Sequence, residues 1–137
     1  MAELDTRHVN PALNRPLSPH LGIYRPMLTM MMSITHRITG AALYAGTLLL
    51  AWWLLAAATD AKSFETAAWF MASPVGRLIL FGFTWALFHH LLGGLRHFVW
   101  DMGRCMDHPE REYLAQGTMI GGVVLTVLVW IAAYMAR

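Results

Sequence analysis

Residues 38–58 read ITGAALYAGTLLLAWWLLAAA, twenty-one in a row without a charge. A helix rises 1.5 Å per residue, so this run reaches about 30 Å, the thickness of a bilayer's hydrocarbon core. Two further runs read the same way. Residues 78–100, LILFGFTWALFHHLLGGLRHFVW, are interrupted only by His89, His90, Arg96 and His97, and residues 119–135, MIGGVVLTVLVWIAAYM, carry no charge. The pattern predicts an all-α integral membrane protein with three transmembrane helices, over about 29–58, 75–103 and 113–135. These form one membrane domain over 1–137, preceded by a cytoplasmic segment, 1–28.

Composition agrees. The chain is 57% hydrophobic and 13% charged, against about 25% charged in a soluble domain. A net charge of +2 is too small to draw nucleic acid. The first apolar run starts too late and is too long for a signal peptide, and Glu3 and Asp5 argue against a transit peptide. Cys105 is the single cysteine and reads as a free, functionally neutral thiol. Basic residues are uneven: Arg7, Arg15, Arg25, Arg37, Arg96, Arg104 and Arg111 fall on one side of the spans, and Lys62, Arg77 and Arg137 on the other. Positive charge favours the cytoplasm, which places the N-terminus inside and the C-terminus outside.

Four prolines, Pro11, Pro16, Pro19 and Pro26, exclude a long helix in residues 1–26, leaving an extended surface segment or a disordered tail. Thr29 or Ser33 is the expected start of the first helix. The connection over 59–76 suits a short interfacial helix around Phe64–Met71, and Ser73-Pro74 has the chemistry of a helix start. Asp107–Glu112 reads as a charged cytoplasmic turn. Trp52, Trp53, Trp100 and Trp130 sit near span ends, where amphipathic rings favour the interface.

Ionisable groups at membrane depth are costly and mark sites. On the second span, His90, Gly93, Gly94 and His97 share a face, while His89 points roughly 100° away. His90 lies about 20 Å from Arg77 and about 17 Å from Asp101, near the midplane. Imidazole beside two glycines suits an axial haem ligand with room for the macrocycle; it equally suits close helix packing. On the first span, Ser33, His36, Arg37 and Gly40 share a face near the cytoplasmic edge. They suit haem propionates or a quinone carbonyl, or a positive-inside anchor. Arg96 reads as an interfacial anchor. Asp101 reads as a partner for Arg37 or Arg96, a proton donor, or a solvated helix-end carboxylate.

Two motifs read in order extend this. Arg25-Pro26 is followed by Ser33-Ile34-Thr35-His36-Arg37-Ile38-Thr39-Gly40. The second span gives His90-Leu91-Leu92-Gly93-Gly94-Leu95-Arg96-His97 and then Asp101-Met102-Gly103. This resembles the cytochrome b membrane-anchor subunit of succinate dehydrogenase (succinate:quinone oxidoreductase). Asn14-Arg15-Pro16-Leu17-Ser18-Pro19-His20-Leu21 is similar to the N-terminal segment of its alphaproteobacterial and mitochondrial branch.

The resemblance implies a multi-pass protein of the bacterial inner membrane, within a complex that passes electrons from succinate to ubiquinone. His90 would be an axial ligand of haem b iron, with the haem shared with a second small anchor subunit that completes the helical bundle. His36 and Arg37 would approach the propionates. Ser33, Arg37 and Ile34 would form part of the quinone site, with His97, Asp101 and Arg96 in support. FAD and iron–sulfur clusters would belong to the flavoprotein and iron–sulfur partner subunits, where succinate is oxidised; this chain alone would not oxidise it. The rival readings are a small membrane transporter and a haem-free structural anchor.

Overall fold

The computed structural model describes residues 19–136, except for the side chains of His20 and Leu21. The expectations for residues 1–18, including most of the segment from Asn14 to Leu21, lie outside these. Four helices follow a short 3-10 turn at His20–Ile23: α1 Leu28–Thr59, α2 Ala61–Ala72, α3 Pro74–Asp101 and α4 Glu110–Met135. Among the described residues, α1, α3 and α4 are each long and apolar enough to cross a membrane. The three-span all-α architecture is therefore as expected.

Their surfaces are those of a lipid-facing bundle. Tyr44, Leu48 and Leu78 are each about 70–80% exposed, whereas the helix contacts are made by small and hydroxylated residues. Buried positions of α4 are Ala115, Thr118, Gly122 and Thr126. The Thr118 and Thr126 hydroxyls donate to the carbonyls four residues back, Leu114 and Gly122, so neither is left unsatisfied in an apolar seam. Leu92 of α3 fills the space beside Gly121, and the His89 backbone packs on Gly122. Where lipid removes any hydrophobic drive for helices to associate, such close approach supplies the attraction.

Helix ends follow local chemistry. Ser73 caps α3 by accepting from Gly76 N–H at 3.0 Å, with Pro74 at the first helical position, as read from sequence. The short helix expected in the connection is present as α2, capped by Asp60, whose Oδ1 accepts from Ser63 N–H at 2.8 Å. Two boundaries differ. α1 starts at Leu28 rather than at Thr29 or Ser33, with Met27 as a cap that offers no side-chain bond. α4 starts at Glu110, placing Glu110 and Glu112 in its first turn, where acids complement the helix dipole. Thirty-two residues make α1 about 48 Å long, well beyond the hydrocarbon core, so it tilts or projects from the membrane.

Candidate functional site: a histidine pair between the first and third helices

The two polar clusters meet. His36 of α1 and His90 of α3 stack with ring centroids 4.0 Å apart and planes 10° from parallel. Each ring reaches the other's backbone: His36 Nε2 lies 3.2 Å from the His90 carbonyl and His90 Nδ1 lies 3.0 Å from the His36 carbonyl. Carbonyls only accept, so each of those nitrogens carries the proton. His90 Nε2 is then the lone-pair nitrogen, and it has no partner among the described residues. Thr39, buried, sets its hydroxyl 3.4 Å from His90 Nδ1 while also lying 2.9 Å from the His36 carbonyl.

Glycine makes the pair possible. A Cβ on Gly93 would lie 2.2 Å from His36 Cδ2, and one on Gly40 would lie 2.9 Å from His90 Cε1. Each imidazole thus occupies the space left by a glycine on the opposite helix. Gly94, by contrast, has nothing within 4 Å of a Cβ. It lies one turn past His90 on an open face.

Stacking corrects one expectation. His36 is not at the membrane edge while His90 sits at the midplane; the two share one depth, roughly 12 Å along α1 from Leu28. The length of α1 allows this, because its first turns extend past the start of the apolar run.

His97 continues the layer, edge-on to His36 with centroids 5.4 Å apart and edge-on to Trp100 at 5.3 Å. Ser33, Ile34 and Arg37 are exposed. Ser33 and Arg37 have no polar partner among the described residues. Asp101 ends α3, exposed, and pairs with neither Arg37 nor Arg96.

Arg96 is the second correction. It is not an interfacial anchor but is 4% exposed, with its guanidinium 5.0 Å over the Trp100 ring. Packing against the aromatic face keeps it inside rather than extended to the headgroups. His89, 1% exposed, faces α4 at Gly122, so adjacent histidines serve different helices. Both His89 ring nitrogens, and Nε and Nη1 of Arg96, lack a hydrogen-bond partner among the described residues. This buried seam was missed from sequence, although His89 and Arg96 are seven apart and so share a face.

Cys105 lies in the α3–α4 loop, where its carbonyl accepts from Trp100 Nε1 at 3.1 Å. Partial burial pushes the thiol pKa up, and the Glu110 carboxylate adds to this, which suits an inert thiol.

Three helices long and apolar enough to span a membrane, two of them clasped by a histidine pair, define a multi-pass membrane protein with a built polar layer. Residues 11–131 match the family model for the succinate dehydrogenase/fumarate reductase transmembrane subunit, and the chain belongs to that family. It is 46% identical over 122 residues to the succinate dehydrogenase cytochrome b556 subunit of Paracoccus denitrificans, covering 89% of this chain and 94% of that one. The Rickettsia conorii protein of the same name is 34% identical over 117 residues, 85% of this chain and 91% of that one. The mitochondrial cytochrome b560 subunit of Sus scrofa is 39% identical over 120 residues, 84% of this chain and 67% of that one.

Proposed function

We propose that this chain is the cytochrome b anchor of a succinate dehydrogenase, holding one side of haem b and contributing to the site where ubiquinone is reduced. The observation that carries the haem is the state of His90. Its Nδ1–H is committed to the His36 carbonyl, which fixes the tautomer and leaves Nε2 as the iron-binding lone pair. The open face at Gly94 gives a flat macrocycle access to the helix backbone. The residues present therefore fit the group. When bound, haem b supplies one-electron redox chemistry through its iron. A second anchor subunit would complete the ligation. Arg37 is the group of this chain suited to donate to propionates; His36 would lie beside them, its Nε2–H already committed to the His90 carbonyl.

Reduction of a quinone places negative charge on its carbonyl oxygens, and donors already in place lower the cost of that charge. Ser33 and Arg37, one turn apart on the exposed side of α1, offer a hydroxyl and a guanidinium fork. A guanidinium does not give up its proton in a protein, so Arg37 would act electrostatically and the two protons would come from water or from partner groups. Ile34, 45% exposed, supplies apolar wall. Electrons would arrive from the flavoprotein through the iron–sulfur subunit, both docked on the cytoplasmic side of a bacterial inner membrane. His97, Arg96 and Asp101 would shape this layer without touching the reacting atoms.

The test is quinone reduction by the assembled complex carrying Ser33→Ala or Arg37→Leu. A hydrogen bond to a charged group is worth about 1.5–3 kcal/mol, so the Arg37 change should cost roughly 10- to 150-fold. Succinate oxidation with a soluble artificial acceptor should be unaffected. Unchanged quinone reduction and quinone KM in both variants would refute the assignment.

A further inference from the structure

At the face of the bundle opposite the histidine layer, two cavities share a wall. The larger, about 470 Å³, opens between all four helices and is lined by Trp53, Met71, Arg77, Leu80 and Trp130, among others. The smaller, about 280 Å³, lies between α1, α2 and α3 and reaches Gly46, Leu50 and Phe83. Trp53, Met71 and Leu80 line both. Every residue lining the smaller cavity is apolar, and from Arg77 to Phe83 the pair runs about 9 Å along α3 into the membrane.

Arg77 is out of place on two counts. It lies in the first turn of α3, where the helix dipole already presents positive charge, and that turn holds no acid. It is exposed and makes no ion pair among the described residues. The last turn of α4, Ala133 and Tyr134, lines the same mouth as Arg77, but no carboxylate among the described residues pairs with the Arg77 guanidinium, which leaves its fork of donors for an anion. Trp53 and Trp130 place that mouth at headgroup level, where indoles partition. The apolar inner cavity leaves a polar or charged ligand unsatisfied and accommodates hydrocarbon.

We infer that the two cavities together hold one phospholipid with a net-anionic headgroup, its phosphate at Arg77 and one acyl chain running past Leu80 towards Gly46 and Phe83. The site is distinct from the haem and quinone layer and is built from this chain's own helices. The lipid ties the interfacial helix α2 to the three spans.

The test is native mass spectrometry of the purified, delipidated complex titrated with phosphatidylglycerol, with zwitterionic phosphatidylcholine, and with glycerol 3-phosphate as a headgroup lacking chains. The expected result is saturable phosphatidylglycerol binding about tenfold tighter than phosphatidylcholine, with no glycerol 3-phosphate binding. Arg77→Gln abolishes the preference, and Leu80→Trp, which fills the shared wall, removes both lipids. Equal binding of the two lipids, a preference that survives Arg77→Gln, or glycerol 3-phosphate binding as tightly as the lipid would each overturn the proposal. Displacement of phosphatidylglycerol by a ubiquinone analogue would assign the cavity to a quinone instead. Arg77 is exposed, so its variant keeps the test decisive even where Leu80→Trp fails to assemble.

Discussion

His36 and His90, fifty-four residues apart, hold each other by exchanging ring N–H bonds to backbone carbonyls at 3.2 and 3.0 Å, with their rings stacked at 4.0 Å. The exchange fixes the relative height and rotation of α1 and α3. It presents His90 Nε2, rather than Nδ1, to anything that binds there. A packing contact between helices and a ligand's tautomer are thus set by the same two bonds.

Gly93 should be the least replaceable glycine of the pair. Gly93→Ala puts a methyl 2.2 Å from His36 Cδ2, and Gly40→Ala meets the His90 ring at 2.9 Å. Overpacking of this kind costs about 1–3 kcal/mol, more than the up to about 1 kcal/mol of helix propensity gained. Gly93→Ala should lower the midpoint of thermal disassembly and the haem content together. Gly94→Leu, on the open face, should lower haem content without lowering that midpoint. Thermal melts read beside the haem absorbance separate the two.

Gly76 and Gly82 should differ in sign. A Cβ on Gly76 would lie 2.1 Å from the Phe70 carbonyl oxygen and 2.8 Å from Met71 Cα, backbone atoms that cannot swing aside. Gly82 has open space. Gly76→Ala should therefore destabilise the α2–α3 corner by about 1–3 kcal/mol, and Gly82→Ala should be neutral or stabilising by up to about 1 kcal/mol. Thermal resistance of the two variants in detergent is the measurement.

The α2 cap should be pH-dependent. Ser63 N–H, and then its hydroxyl, hold the Asp60 carboxyl pKa below the ordinary carboxylate range. A depressed folded-state value means the cap is at full strength above the unfolded pKa and is lost as pH falls through the folded one. Protection of the Ser63 and Phe64 amides, their exchange measured against the intrinsic rate at each pH, should fall only in acid. Asp60→Asn, which keeps an acceptor, should show no such dependence, and Asp60→Ala should exchange faster at every pH.

Much of this was legible in the sequence. The three spans follow from uncharged runs matched to bilayer thickness, the α3 start from Ser73-Pro74, and α2 from the short helix read around Phe64–Met71. The α1 start was not legible, because Met27 carries no capping side chain. α3 stops at Asp101 because Gly103 adopts φ of +70° and bonds Trp100 O at 2.8 Å, a turn that glycine alone takes easily. The two polar faces that meet between α1 and α3 were also legible, with His36 and His90 on defined faces. Their contact was not, since periodicity fixes the rotation of a helix and says nothing of its height against a neighbour. One signal was available: each histidine is followed within a turn by a glycine, Gly40 and Gly93, and each glycine receives the other's ring. Arg96 was misjudged because a lone arginine near a span end ordinarily extends to the interface, and only tertiary packing on Trp100 shows otherwise.

The central claim is that His90, and not its neighbour His89, binds haem iron. His89 is buried against α4 with neither ring nitrogen partnered among the described residues, so His89→Leu relieves a desolvated group worth about 1–3 kcal/mol. The decisive measurement is the dithionite-reduced minus air-oxidised optical spectrum of the purified complex for wild type, His89→Leu and His90→Leu. The account predicts a b-type band in the wild type, the same band in His89→Leu, and its loss or displacement in His90→Leu. A band that survives His90→Leu and disappears in His89→Leu, or a featureless wild-type spectrum, would contradict it.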